Sequence, residues 1–236
     1  MKQMKVIGLA VLLLAGSALA GSGLILDEKD GLTEKVEVRS YDSKAQAVKV
    51  ITSNGVVSRP FSTFNAASQK KIMDWHEDQT FQSSARLRIK IDDIEKDGSP
   101  EDTKEISYKI ILTNRSDIEL TGIKIDSRIF YEYQINQEDS DRAKQYKVNH
   151  FEVDIPAGEE RVFQTKPLEI RSFEKRVEVH NTGEEKGYVT KSVEDKLLGI
   201  DFSFTKIGFD GKTISRKAKD GRVPSSKKIA DFELKK

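Results

Sequence analysis

Alternation with a period of two governs the longer part of this chain. In "ARLRIKIDDI", Leu87, Ile89 and Ile91 alternate with Arg86, Arg88 and Lys90. Farther on, Ile123, Ile125, Ile129, Tyr131 and Tyr133 share one parity within "IELTGIKIDSRIFYEYQI". Residues two apart lie on the same face of a strand, so this spacing builds half-buried strands and does not suit a helix. Turn-forming runs interrupt it. They are the polar "DIEKDGSPEDTKE" with Gly98 and Pro100, the stretch from Asn114 to Asp117, the charged "NQEDSDRAKQ", "PAGEE" with Pro156 and Gly158, and Asp210-Gly211. The pattern from Phe81 onward predicts about seven or eight strands at intervals of roughly 8–15 residues, an antiparallel β-sandwich over residues 77–236.

The stretch before it differs. Val36 and Val38, then Val48 and Val50, alternate with polar residues, and Asn54-Gly55 offers the positive φ angles of a tight hairpin turn. Pro60 has no N–H to donate and should end ladder pairing. Residues 25–62 therefore predict a meander of short, bent strands. The period then changes in "RPFSTFNAASQKKIMDW". Asn65 is a good N-cap, and Phe64 before it can staple the helix entry. Ile72 and Trp75 lie three apart on one helical face, with Ser68 a turn earlier and Lys70, Lys71 and Asp74 toward water. The spacing predicts a helix of about ten residues that ends near Trp75 and closes the first module, with the chain crossing to the second near His76.

Phe64-Asn65-Ala66-Ala67-Ser68-Gln69-Lys70-Lys71-Ile72-Met73-Asp74-Trp75 resembles the closing motif of the first Sla-type homology domain, L-S-x-x-D-Q-x-x-I-x-x-W. Gln69, Ile72 and Trp75 match in identity and register. Phe64, Asn65 and Ser68 depart conservatively, and the tryptophan often found in the first strand of such modules is absent. The resemblance covers about fifty residues. It implies a small SH3-like barrel with a short C-terminal helix over residues 21–76, and a role in protein or peptide binding, with Phe64 and Trp75 as candidate groove residues. "ISYKIILTNRSDIELTGIKIDSRIFYEY" and "IPAGEERVFQT" are similar to β-sandwich segments that follow such modules in exported bacterial proteins. That likeness implies an immunoglobulin-like sandwich, so the expected fold is mainly β throughout.

The N-terminus predicts export. "MKQMKVIGLAVLLLAGSALAGSG" has Lys2 and Lys5, an apolar run from Val6 to Ala15, and small residues at Ala18 and Ala20. This is the layout of a secretory signal over residues 1–20, cleaved between Ala20 and Gly21. The apolar run is short for a span of about 30 Å of hydrocarbon, and nothing later is apolar enough to cross a membrane. The expected location is periplasmic or extracellular, with no stable membrane span after cleavage.

Composition narrows the chemistry. The chain has no cysteine, which removes disulfides, thiolate metal sites and cysteine nucleophiles. His76, His150 and His180 are scattered in sequence, and no phosphate loop, nucleophile elbow, zinc spacing or calcium loop occurs. Asp92 and Asp93 are adjacent, so on a strand they face opposite ways and cannot work as an acid–base pair. A net charge of +1 gives no long-range attraction to nucleic acid. Asn114-Arg115-Ser116 fits a glycosylation acceptor by chance. From Ser215 onward the chain is basic, which predicts a solvated edge with a frayed end. No catalytic residue, metal ligand or cofactor is expected. The expected role is a non-enzymatic exported binding or scaffold protein with a protein, peptide or envelope partner. The alternatives are a carboxylate-dependent envelope hydrolase and an assembly subunit that acts through edge strands.

Overall fold

The computed structural model describes residues 24–29, 33–98, 103–135, 142–180 and 186–235. The signal segment and the Ala20-Gly21 cleavage position lie outside them. The described chain is mainly β, with fourteen strands and one α-helix.

The first unit is a four-stranded antiparallel sheet in the order β1 (Leu24–Asp27), β2 (Thr33–Asp42), β3 (Ala47–Thr52) and β4 (Gly55–Pro60). Its alternating apolar residues face one interior. Leu24, Leu26, Val36, Val38, Val48 and Val50 are all buried. A register shift between Val38 and Ser40 bends β2. An isolated bridge from Glu28 to Phe64 brings the end of the unit back to β1 and curls the sheet into a half-barrel. The β3–β4 turn differs from expectation. Thr52 pairs with Gly55, leaving Ser53-Asn54 as the loop. Only Gly55 has a positive φ, at 106°, while the Asn54 N–H bonds to the Thr52 hydroxyl.

The second unit stacks two five-stranded sheets. One contains β5 (Leu87–Asp97), β6 (Thr103–Asn114), β9 (Glu160–Gln164), β10 (Leu168–His180) and β11 (Lys186–Glu194). The other contains β7 (Leu120–Gln134), β8 (Arg142–Ile155), β12 (Lys196–Ile207), β13 (Thr213–Gly221) and β14 (Glu233–Leu234), in the order β13-β12-β7-β8-β14. Leu87, Ile110, Leu112, Ile123, Ile125, Ile129, Phe202 and Phe204 fill the space between them. The acidic run expected as a loop is mostly strand. β5 continues to Asp97, which pairs with Lys104 of β6. Its cross-strand partners explain this: opposite charges stand across the ladder at Asp92 and Lys109, Lys96 and Glu105, and Asp97 and Lys104.

The basic tail is docked rather than frayed. β14 pairs in parallel with Gln145 and Tyr146, Phe232 meets Phe130 edge-on at 5.4 Å, and Lys235 lies 5.7 Å over the Tyr131 ring. Two aromatic anchors outweigh the tail's charge.

The helix α1 (Ala66–Gln82) is 17 residues long, seven past the expected end at Trp75, so the expected boundary after residue 76 falls inside it. Its first half docks on the first unit: Ser68 and Ile72 have no exposed surface, and the Ser68 hydroxyl accepts from the Asp27 N–H at 2.7 Å. Its second half docks on the sandwich. Asp78, 2% exposed, accepts from Lys206 Nζ and from the Phe209 N–H, both at 2.7 Å. Glu77 accepts from the Thr121 N–H and hydroxyl. Phe81 belongs to the sandwich core. Arg216 of β13 donates to the carbonyls of Phe81 and Leu87, so a cation closes the C-terminal end of the helix.

Candidate binding groove

The ends of the two β units and the middle of α1 enclose an open groove of about 630 Å³. Its first wall comes from the β2–β3 turn and the outward face of the β3–β4 hairpin. Asp42 shapes that turn: its Oδ1 accepts from the N–H groups of Lys44 (3.0 Å) and Ala45 (2.9 Å). Gln46 follows with φ +49°, a left-handed conformation supported by side-chain bonds to the Tyr41 hydroxyl and the Ser43 carbonyl. Lys44 and Lys49 stand on this wall, both exposed, with Ser58 opposite Lys49.

The floor is His76, one residue past Trp75 in the chain and 3% exposed. Its ring meets Tyr41 edge-on at 5.3 Å, and Tyr41 in turn lies 4.9 Å from Phe61. Arg86 Nη1 lies 3.5 Å from His76 Nδ1 and donates to the Thr80 hydroxyl at 3.3 Å. A guanidinium only donates, so Nδ1 is the acceptor and the ring proton sits on Nε2, which faces Asp117 Oδ1 at 4.0 Å. Burial pushes the imidazole pKa down and Arg86 pushes it further, with Asp117 opposing both. The ring is therefore neutral at pH 7.

The second wall comes from the sandwich: Arg86 just before β5, then Arg115, Ser116 and Asp117 in the β6–β7 turn. Asn114 anchors that turn from the interior. Its amide donates to the carbonyls of Ile118, Ile155 and Pro156, and its Oδ1 accepts from the Ser116 N–H and hydroxyl. The asparagine of the apparent glycosylation sequon has no exposed surface.

Charge is unevenly placed in this groove. Most buried or half-buried cations elsewhere have carboxylate partners: Arg59 with Glu28, Arg128 with Asp201, Arg171 with Asp195, Lys206 with Asp78. Among the described residues, Lys44, Lys49, Arg86 and Arg115 form no ion pair, although all four line the groove.

The residues singled out by the motif lie nearby but do not line it. Asn65 caps α1, accepting from the Ser68 N–H at 2.9 Å. The Gln69 amide donates to the carbonyls of Phe64 and Phe61, tying the helix to the turn before it. Ile72 is fully buried. Phe64, 1% exposed, has no surface to offer a ligand, contrary to its expected place in a groove. Trp75 is only partly buried and packs against the first core, as does Phe209 from the sandwich. The groove escaped sequence reasoning because its residues come from positions 40–58, 76, 86 and 115–117, which no spacing rule connects. One signal was present: a lone histidine directly after a helical core face. No group of three or more His, Asp or Glu side chains among the described residues could hold a metal ion.

No family model matches the chain, and no curated protein matches it. Among solved structures, the structural-genomics target SoR45 is similar over 58% of this chain and 86% of its own, with 7% identity and a TM-score of 0.30. Spo0M, a sporulation control protein from Bacillus subtilis, is similar over 56% of this chain and 48% of its own, with 16% identity and a TM-score of 0.20. This chain thus covers about half of the length of Spo0M. Neither likeness bears on what the chain binds.

Proposed function

We propose that this chain is a non-enzymatic exported binding protein that holds a segment of a partner protein in the groove between its two β units. The observation that carries this is the set of four cationic side chains around one concave surface that have no ion partner among the described residues. A solvated surface disperses its charges; a cleft with a surplus of one sign concentrates an oppositely charged ligand, and here four cations face two carboxylates. The N-terminal sequence supports export. The Gln69-Ile72-Trp75 register supports kinship of the first unit with Sla-type homology modules of SH3-like form, and the stacked sheets of the second support an immunoglobulin-like sandwich. The non-enzymatic reading draws on the groove's hydroxyls and acids. Ser116 and Asp42 are engaged in turns, and Asp117 faces the His76 ring.

Capture from envelope extract tests this proposal. The mature chain, residues 21–236, is compared with R115S/K49S, which removes two exposed groove cations. Partners retained by the first and lost by the second support the reading. Identical capture by both, with unchanged circular dichroism, removes it.

A second reading, an assembly subunit, draws on the β10–β11 ribbon. Among the described residues, β10 beyond Arg171 pairs only with β11, and the consecutive residues 188–192 are all exposed. A two-stranded ribbon left in water is marginal alone. Light scattering over a hundredfold concentration range tests it: a constant monomer mass excludes self-assembly.

A further inference from the structure

We infer that the segment held in the groove is acidic, with its carboxylates received by Arg86, Arg115, Lys44 and Lys49. This rests on the groove reading above and names its ligand class. The groove's two carboxylates pair directly with none of those cations and leave a surplus of two positive charges: Asp42 accepts from backbone N–H groups of its own turn, and Asp117 faces His76. The chain carries only +1 overall, so the excess is local. Arginines present planar forks that match carboxylates, while the two lysines act as mobile point charges on the opposite wall. An extended strand laid between the walls can present alternate side chains to both. Hydroxyls of Ser40, Ser43 and Ser58 line the same space and suit a peptide main chain.

Two features favour a peptide over an anionic glycan or a nucleic acid. Sugars and bases are held on open aromatic faces, and single-stranded nucleic acid needs such stacking platforms. The groove's only aromatic side chain, Tyr41, is 6% exposed, with its ring packed on Phe61 and His76. The imidazole of His76 is equally enclosed.

Fluorescence anisotropy on the mature chain tests the inference with four labelled probes. These are an eight-residue peptide alternating Glu with Ser, the same peptide with Gln for Glu, oligogalacturonate of equal charge, and an oligothymidylate of equal charge. The glutamate peptide is expected to bind about tenfold tighter than the glutamine peptide and more tightly than the sugar or the nucleotide. Its affinity should fall as salt rises. R115S/K49S should lose about tenfold at unchanged Tm. K227S/K228S removes equal charge from the tail, outside the groove, and should lose nothing. Equal binding of the Glu and Gln peptides overturns the inference, as does tighter binding of the sugar or nucleotide, or an equal loss in K227S/K228S. If extract capture still depends on Arg115 and Lys49 while the glutamate peptide fails, the groove reading stands and the acidic ligand class falls. If R115S/K49S changes neither assay, both fall.

Discussion

His76 combines two properties: it forms the floor of the groove, yet its side chain is almost wholly enclosed by Tyr41, Arg86 and Asp117. Its pKa lies below the ordinary 6.5 because burial and Arg86 disfavour the imidazolium. In the unfolded chain the ring takes up a proton as pH falls through about 6.5, while the folded ring resists until lower pH. The folded state therefore keeps this contribution in full above pH 6.5 and loses it as pH falls toward the folded pKa. Urea midpoints at pH 7.5, 6.5 and 5.5 should decline in that order, and His76→Gln should flatten that decline. Asn114 gives a second residue-scale expectation. Asn114→Ala removes the donor from three carbonyls that meet in the interior and should cost about 2–3 kcal/mol by urea denaturation. The turn around Asn114 was legible in the sequence, but its burial was not. Two of its three acceptors, in Ile155 and Pro156, lie some forty residues away along the chain.

At the scale of elements, the helix shows where sequence patterning stops. Its start was readable: Asn65 offers a cap, and Ser68 and Ile72 recur at helical spacing. Past Trp75 the sequence His76-Glu77-Asp78-Gln79-Thr80 is polar, and no apolar period announces a buried face. The structure buries it through specific polar partners on distant strands: Lys206 for Asp78 and Thr121 for Glu77, with Arg216 at the end. Tertiary contacts override weak local preference here. Asp78→Ala should therefore destabilise by about 3 kcal/mol by leaving Lys206, 6% exposed, short of a partner; Glu77 at 3.2 Å softens the loss. Adding Lys206→Met should recover part of it, as measured by urea denaturation of the single and double variants. Trp75 is a milder case than its motif suggests. A fully buried tryptophan costs about 3–5 kcal/mol on truncation, but partial exposure lowers the expectation for Trp75→Ala to about 2 kcal/mol. The strands themselves were legible because alternation and turn residues act locally. The docking of β14 was not, because the basic composition of the tail around it hid the two residues, Phe232 and Lys235, that meet rings on β7.

At the scale of the whole molecule, α1 makes one body of two β units that each have a separate core. The groove exists only because of that union: one wall belongs to the curled sheet, the other to the sandwich, and His76 of the shared helix forms the floor. A flexible linker in place of the second half of α1 would let the walls drift and disperse the four cations. Proteases should accordingly spare residues 74–84 in the folded protein, since Asp78, Thr80 and Phe81 within that stretch are buried. The chain's single tryptophan gives a direct test, because Trp75 reports on the first unit while far-ultraviolet circular dichroism is dominated by the strands of the second. Urea unfolding of the mature chain, followed by both signals on one sample, should give coincident midpoints and slopes, as one cooperative unit requires. A tryptophan transition that runs to completion while the dichroism remains native would show two independent units and contradict a groove held in shape by α1.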